Sequence, residues 1–360
     1  VRAYGDAIEQ SGGIAQGMSG SPIYIEDKLI GALSRSTLWS RETEKPIALI
    51  TPIATMFKLF EKGSESGSSE VSEKRESSMQ NSLEDVFSDN SVAFENGETG
   101  ELVFTRSQTP VMVGNFSEPA FAALSERIDT SDLDRIYDPL RVLGGSSVNN
   151  LENGLSEFDL SFHNVQADAG KSTEEMDLTP GGPMGVGLAQ GDLSIGALGT
   201  VTYREDDKVL GFGHRFLLSG NTDYILTKAH VFDTVDSYRS PFKLGSVGSS
   251  VGVVSQDRTQ GVLGEVGIEA DLFETDIEVI EEGKETGSNF QTDLVKSADL
   301  VGPLSYSTLR ESINRSLNRR GPGTMKVKYK ISGQNMPEPI ERSDIFFSHR
   351  EASYLPSLQV

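Results

Sequence analysis

A chain of 360 residues with 36% hydrophobic residues, 37 glycines and a single tryptophan reads as two or more β-rich, loop-rich units rather than a helical bundle. Its formal charge of −22 argues against nucleic acid or an anionic membrane as a partner, and no apolar run is long enough to span a bilayer. The absence of cysteine excludes disulfides, zinc–cysteine sites and thiol nucleophiles together, without fixing the compartment.

The chain begins at Val1 with no visible signal peptide, which reads as a fragment or a mature product. Near its start, "GGIAQGMSGSPI" (residues 12–23) crowds glycines and two serines just ahead of a β-type run. "SPIYIEDKLIGALS" then reads as a hairpin turning at Glu26-Asp27. "TPIATMFKLFEKG" is expected to be a short helix capped by Thr51, with Ile53, Met56, Phe57 and Phe60 on one face and Gly63 at its end. From Lys62 to about Asn81 the sequence is Ser, Glu, Gly and Lys, too polar to offset its ordering entropy, and so reads as a solvated linker.

"ELVFTRSQTPVMVGNF" restarts strand-like alternation, and "SEPAFAALSERI" suits a second short helix with Ser117 as cap and Phe121, Leu124 and Ile128 inward. Between Gly185 and Gly267 short strands alternate with glycines, the texture of a small closed barrel. "SYSTLRESINRSLNRRGPG" predicts a helix with Tyr306, Leu309, Ile313 and Leu317 on one side, Arg319 and Arg320 near its C-terminus and Gly321-Pro322 as its stop. "MKVKYKIS" is a further alternating strand. "YIEDKLIGAL" (24–33) and "YREDDKVLGFG" (203–213) share a Tyr-x-Glu-Asp corner, a Lys, two apolar residues and a Gly, which is compatible either with two related halves or with reused turn chemistry.

Two other segments bear on ligand binding. The acidic "FETDIEVIEEGKE" lacks the spacing of a calcium loop, and "GGPMGVGLAQG" lacks both the phosphate-loop Lys-Ser/Thr and the dinucleotide spacing. No cofactor and no metal are expected.

Serine chemistry fits "GMSGSP" better. A serine hydroxyl needs a base within reach and donors for the oxyanion, and glycines allow backbone N–H groups to converge without Cβ obstruction. The loop resembles the Gly-Asp-Ser-Gly-Gly-Pro loop of chymotrypsin-like proteases, which makes Ser19 the nucleophile and Ser21 its structural neighbour. Four histidines could serve as base. His163 lies in a polar strand, His230 reads as a packed or surface residue, and His349 is close to the C-terminus. His214, after Gly213 in "LGFGHRF", falls where a barrel mouth is expected.

Taken together, "GGIAQGMSGSPI…KLIGAL" and "GTVTY…KVLGFGH" resemble the stage-IV sporulation protein B type of serine peptidase, over roughly residues 10–35 and 196–215. The resemblance implies a chymotrypsin-like enzyme with Ser19 as nucleophile, His214 as general base and the N–H groups of Gly17 and Ser19 as oxyanion hole. It implies a mainly β fold of two small chymotrypsin-like β-barrels with a C-terminal α+β extension. Residues 1–60 would hold the serine-bearing barrel, incomplete at its N-terminus, with a short helix. An acidic Ser-rich linker (61–100), a connecting β/α segment (101–184), the histidine-bearing barrel (185–270) and the extension (271–360) would follow.

Three departures stand out. The serine motif precedes the histidine motif, the reverse of the sporulation enzymes, as in a branch of exported bacterial proteins; triad geometry tolerates any chain order. Tyr4 occupies the position of the family's acid, leaving Asp6 as the favoured orienting carboxylate and Asp223 or Asp257 as alternatives. The strands expected ahead of Ser19 are missing. The expected partners are a protein or peptide substrate and a cleaved N-terminal segment of the chain itself, and the expected location is secreted, periplasmic or at the cell envelope. The competing reading is a catalytically degenerate protease-fold module that binds or scaffolds.

Overall fold

The glycine-punctuated stretch between residues 183 and 266 folds into six strands that close on themselves. The computed structural model describes residues 1–37, 46–62, 91–96, 100–106, 108–117, 120–122, 124, 160–165, 177–236, 241–284, 286–319, 321–334 and 336–359. Within it, β8 (Pro183–Gly191), β9 (Ser194–Glu205), β10 (Lys208–Gly211), β11 (Gly220–Val235), β12 (Phe242–Arg258) and β13 (Gly261–Val266) pair in the order β8-β11-β12-β13-β10-β9, and β9 pairs back to β8. The ring has no free edge. Its inward side chains, among them Met184, Val186, Ala197, Val201, Val209, Leu226, Val254 and Val262, are buried in one contiguous core. Burying each large aliphatic side chain contributes about 1.5–3 kcal/mol, so this interior is the main source of cohesion in the molecule.

The same sheet continues beyond the ring. β6 (Thr109–Gly114) pairs with β9 and, in parallel, with β7 (Leu160–Val165). On the other side β15 (Ser288–Val295) joins β8, and β14 (Leu272–Val279) lies outermost. The β11–β12 hairpin outgrows the barrel: β11 meets β8 only at Ile225, Leu226 and Thr227, while its pairing with β12 runs from Gly220 to Val235. The far end of this hairpin meets the serine-bearing loop.

The strands that follow the serine loop pair with strands from residues 91–106 in a second, open sheet. β1 (Pro22–Ile25) and β2 (Lys28–Thr37) make the expected hairpin, with Glu26 and Asp27 both at positive φ, as the tight turn requires. β3 (Ala48–Pro52) and β5 (Gly100–Arg106) both pair with β2, and β4 (Ser91–Asn96) pairs with β5. Among the described residues these five strands do not close into a second barrel. The expected linker lies largely outside the described residues.

α1 (Asp6–Gln10) precedes the serine loop, and α2 (Ile53–Lys62) follows β3. Met56 and Leu59 of α2 are fully buried against Leu210 and Leu263 of the barrel, so the helix bridges the two parts. Leu59 was not on the expected face, and Thr51 does not cap the helix. Thr51 ends a strand, and its hydroxyl donates 2.5 Å to the carbonyl of Gly213. Ser117 turns its hydroxyl to the buried Glu311 at 2.5 Å, while its carbonyl accepts from the N–H groups of Ala120 and Phe121. Ile128 and Gly63 fall outside the described residues.

The C-terminal part contains α3 (Val301–Leu317), the antiparallel pair β16 (Gly323–Ile331) and β17 (Ile340–Ser348), and α4 (Tyr354–Gln359). α3 starts earlier than the sequence suggested and stops at Asn318 in the left-handed conformation, before Gly321-Pro322. Leu304 at its start joins the main core. The molecule is therefore mainly β, as expected.

Candidate active site

The serine loop is built against the barrel. Gln16 N–H donates to Pro241 O at 2.7 Å, and Lys243 N–H returns a bond to Gln16 O at 3.0 Å, stitching the loop to the end of the β11–β12 hairpin. Thr200 on β9 then holds the next residues: its hydroxyl donates to Gly17 O at 2.9 Å and its N–H to Ser19 O at 3.0 Å. Thr202 donates to Gly20 O at 2.7 Å. Gly20, at φ +92°, is required sterically, because a Cβ there would lie 2.1 Å from Thr200 O and 2.6 Å from the Phe212 nitrogen. A side chain cannot enter without moving backbone on both sides.

The histidine segment arrives at the same junction. Gly20 N–H donates to Leu33 O at 2.8 Å, and that same oxygen sits 2.8 Å from where a Cβ on Gly213 would stand. Phe212 therefore packs on Gly20, Gly213 packs on Leu33 and Ala32 of β2, and His214 follows them directly; Phe212 and Gly213 are both at positive φ. Thr51 fastens Gly213 from the open sheet. Ser19 and His214 are 0% and 2% exposed, so both lie under the junction. The Ser19 hydroxyl has no hydrogen-bond partner among the described residues. Ser21 turns away, donating its hydroxyl to Met18 O at 2.6 Å, which is the structural part expected of it.

Backbone donors in the loop divide into two groups. Met18, Gly20 and Ser21 give their N–H groups to Ala15, Leu33 and Met18 carbonyls, whereas those of Gly17 and Ser19 are not among the backbone bonds of the described loop. On the ring of His214, Nδ1 lies 2.7 Å from the carbonyl oxygen of Arg215. A carbonyl only accepts, so this contact keeps a proton on Nδ1 and leaves the Nε2 lone pair as the basic site.

The three candidate acids fall in different places. Asp6 is exposed in the first turn of α1, and among the described residues its carboxylate is not bonded to His214. The acceptor at Nδ1 is instead a backbone carbonyl. Asp223 is exposed on β11. Asp257 is fully buried and accepts from the N–H groups of Phe216 (2.7 Å), Leu217 (2.6 Å) and Ser219 (3.3 Å), the loop directly after His214. Burial pushes its carboxyl up from the ordinary range, and the backbone N–H bonds oppose that rise.

Sequence reasoning missed two neighbours. Lys243 packs its stem along Gly17, where a Cβ would meet its Cβ and Cδ at 3.3 Å, and its ammonium donates to the Thr200 hydroxyl at 3.2 Å. Burial lowers its pKa to about 8. His163 stacks on Phe242 with ring centroids 3.7 Å apart and contacts Ser161, whose hydroxyl bonds the side chain of Gln16. Burial lowers its pKa to about 4, so it is neutral at pH 7. Neither residue carries a local motif; long-range pairing alone brings them to the loop. His230 lies on β11 with its ring 5.1 Å from that of Phe232, and His349 rests edge-on to Phe347, both away from these contacts.

A groove of about 1230 Å³ runs between β14, α3 and β16, and neither Ser19 nor His214 lines it. Among the described residues no cluster of acidic or histidine side chains could hold a metal ion, and no helix is long and apolar enough to cross a membrane.

Against known proteins, a family model for SpoIVB peptidase S55 matches residues 5–41. The match takes in α1, the serine loop and the β1–β2 hairpin, and it ends well before His214. No curated protein and no solved structure matches the chain.

Proposed function

We propose that this protein is a serine peptidase acting on polypeptides. Ser19 Oγ attacks the carbonyl carbon, His214 Nε2 takes the hydroxyl proton and returns it to the leaving amine, and the Gly17 and Ser19 N–H groups receive the oxyanion. The observation that carries this reading is the shared junction of two remote segments, in which Leu33 O contacts the residue after Ser19 and the residue before His214. The match of residues 5–41 to a peptidase family supports it from the sequence side. Self-processing and a location outside the cytoplasm belong to the same reading and rest on the family resemblance.

A second reading has one observation in its favour. Ser19 is 0% exposed, so in this conformation no peptide reaches it. A protease fold retained for binding would look the same. Treatment of the intact protein with a fluorophosphonate probe, followed by peptide mapping, separates the two. The peptidase reading expects one adduct, on Ser19, absent from Ser19→Ala. Folded protein that stays unlabelled through prolonged exposure would establish the binding module.

A further inference from the structure

The amide that Phe216 donates to Asp257 and the carbonyl that faces His214 belong to one peptide group. Arg215 C=O lies 2.7 Å from His214 Nδ1, and the N–H on the other side of that same Arg215–Phe216 peptide lies 2.7 Å from Asp257 Oδ1. The peptide unit is planar, so fixing its N–H fixes the direction of its carbonyl. An amide held by a carboxylate also has a more electron-rich oxygen, because hydrogen bonds in series polarise one another.

We propose that Asp257 is the positioning residue of this site and acts on His214 through the intervening peptide bond. The chain of contacts runs from carboxylate to N–H, across the amide to C=O, and on to the imidazole Nδ1–H. The second oxygen of Asp257 gathers Leu217 and Ser219 N–H, and Leu218 between them takes positive φ. The turn is thereby wound onto one buried side chain, and the Arg215–Phe216 amide plane cannot rotate without breaking its bond to Asp257 Oδ1. No proton reaches Asp257. When Nε2 gains the serine proton, the positive ring is stabilised by the carbonyl and, beyond it, by the carboxylate. A residue 43 positions from His214 thus takes the part left vacant by Tyr4 and Asp6, without touching the imidazole.

The inference rests on His214 serving as the base, and its test reads the ring directly. Nitrogen NMR of histidine-labelled full-length protein, with His214 assigned from a His214→Gln variant, reports the tautomer at neutral pH. The expected result is neutral His214 with its proton on Nδ1. In Asp257→Asn, whose amide presents N–H donors to backbone donors, His214 should become a mixture of tautomers while the His163, His230 and His349 signals stay in place. Labelling of Ser19 should slow by about 100-fold, in line with the loss of an orienting group. A wild-type His214 protonated on Nε2 overturns the proposal even if Asp257→Asn fails to fold. A folded Asp257→Asn with an unchanged His214 signal overturns it equally. A shifted tautomer without any Ser19 adduct in the wild type would keep the clamp and remove the peptidase reading instead.

Discussion

The two regions that meet at Ser19 are stabilised in different ways. The six-strand ring owns its interior: it closes without an edge and buries a continuous set of aliphatic residues. Among the described residues the serine-bearing region has a small cluster of its own, Ile14, Leu33 and Ala48, with Ala3, Ile8 and Met18 at its margin. Its loop takes its shape from elsewhere, from Thr200 and Thr202 on β9, the Phe212 backbone and the end of the β11–β12 hairpin. The contrast shows where geometry is made. The barrel is the rigid template, and the serine loop is a segment pressed onto it.

The sharpest way to break that comparison is to wedge the two regions apart. Gly20→Ala places a methyl 2.1 Å from Thr200 O at a φ of +92°, and we expect a loss of about 3 kcal/mol or more in stability, read by denaturant unfolding. Labelling of Ser19 should vanish with it, while the far-ultraviolet dichroism of the barrel persists. A well-tolerated Gly20→Ala would mean that the loop is not seated on β9. Met56→Ala tests the bridge at α2: emptying a fully buried site between Leu210 and Leu263 should cost about 2–5 kcal/mol. Thr51→Val is gentler, removing one buried donor to Gly213 O for about 1–2 kcal/mol and loosening the residue before His214.

The smallest effect concerns acid stability. His163 is held neutral down to about pH 4, whereas in the unfolded chain it takes a proton near pH 6.5. The unfolded state therefore binds more protons between these values, and stability falls as pH drops from about 6.5 to about 4. The full shift corresponds to about 3 kcal/mol, and solvent at the partly exposed ring reduces this to about 1–2 kcal/mol. His163→Phe, which keeps the stack on Phe242, should flatten that slope in unfolding curves taken across the interval.

Local chemistry was legible in the sequence. The Glu26-Asp27 corner, the α2 pattern around Met56 and the alternation of β16 depend on neighbours in the chain, and they appear where the pattern put them. The glycine-rich run from 185 to 267 also announced a closed barrel. What could not be read were polar groups recruited over long distances. Thr51 looks like a helix cap locally, yet its hydroxyl goes to Gly213 O, 162 residues away, and the Ser117 hydroxyl reaches Glu311, 194 residues away. The same limit hid the contacts of Asp257. Its partners are backbone N–H donors, which leave no mark in the letters of the sequence, so nearness to Tyr4, at the position of the family's acid, favoured the exposed Asp6 instead.

The central claim is that the imidazole of His214 activates the hydroxyl of Ser19. The direct measurement is the rate at which a fluorophosphonate modifies Ser19 as a function of pH, in the intact wild type and in His214→Gln. The account predicts a rate that rises with pH through the ionisation of one imidazole and that drops by about 1,000-fold, losing this pH dependence, in the variant. Equal rates and identical profiles for the two proteins would contradict it.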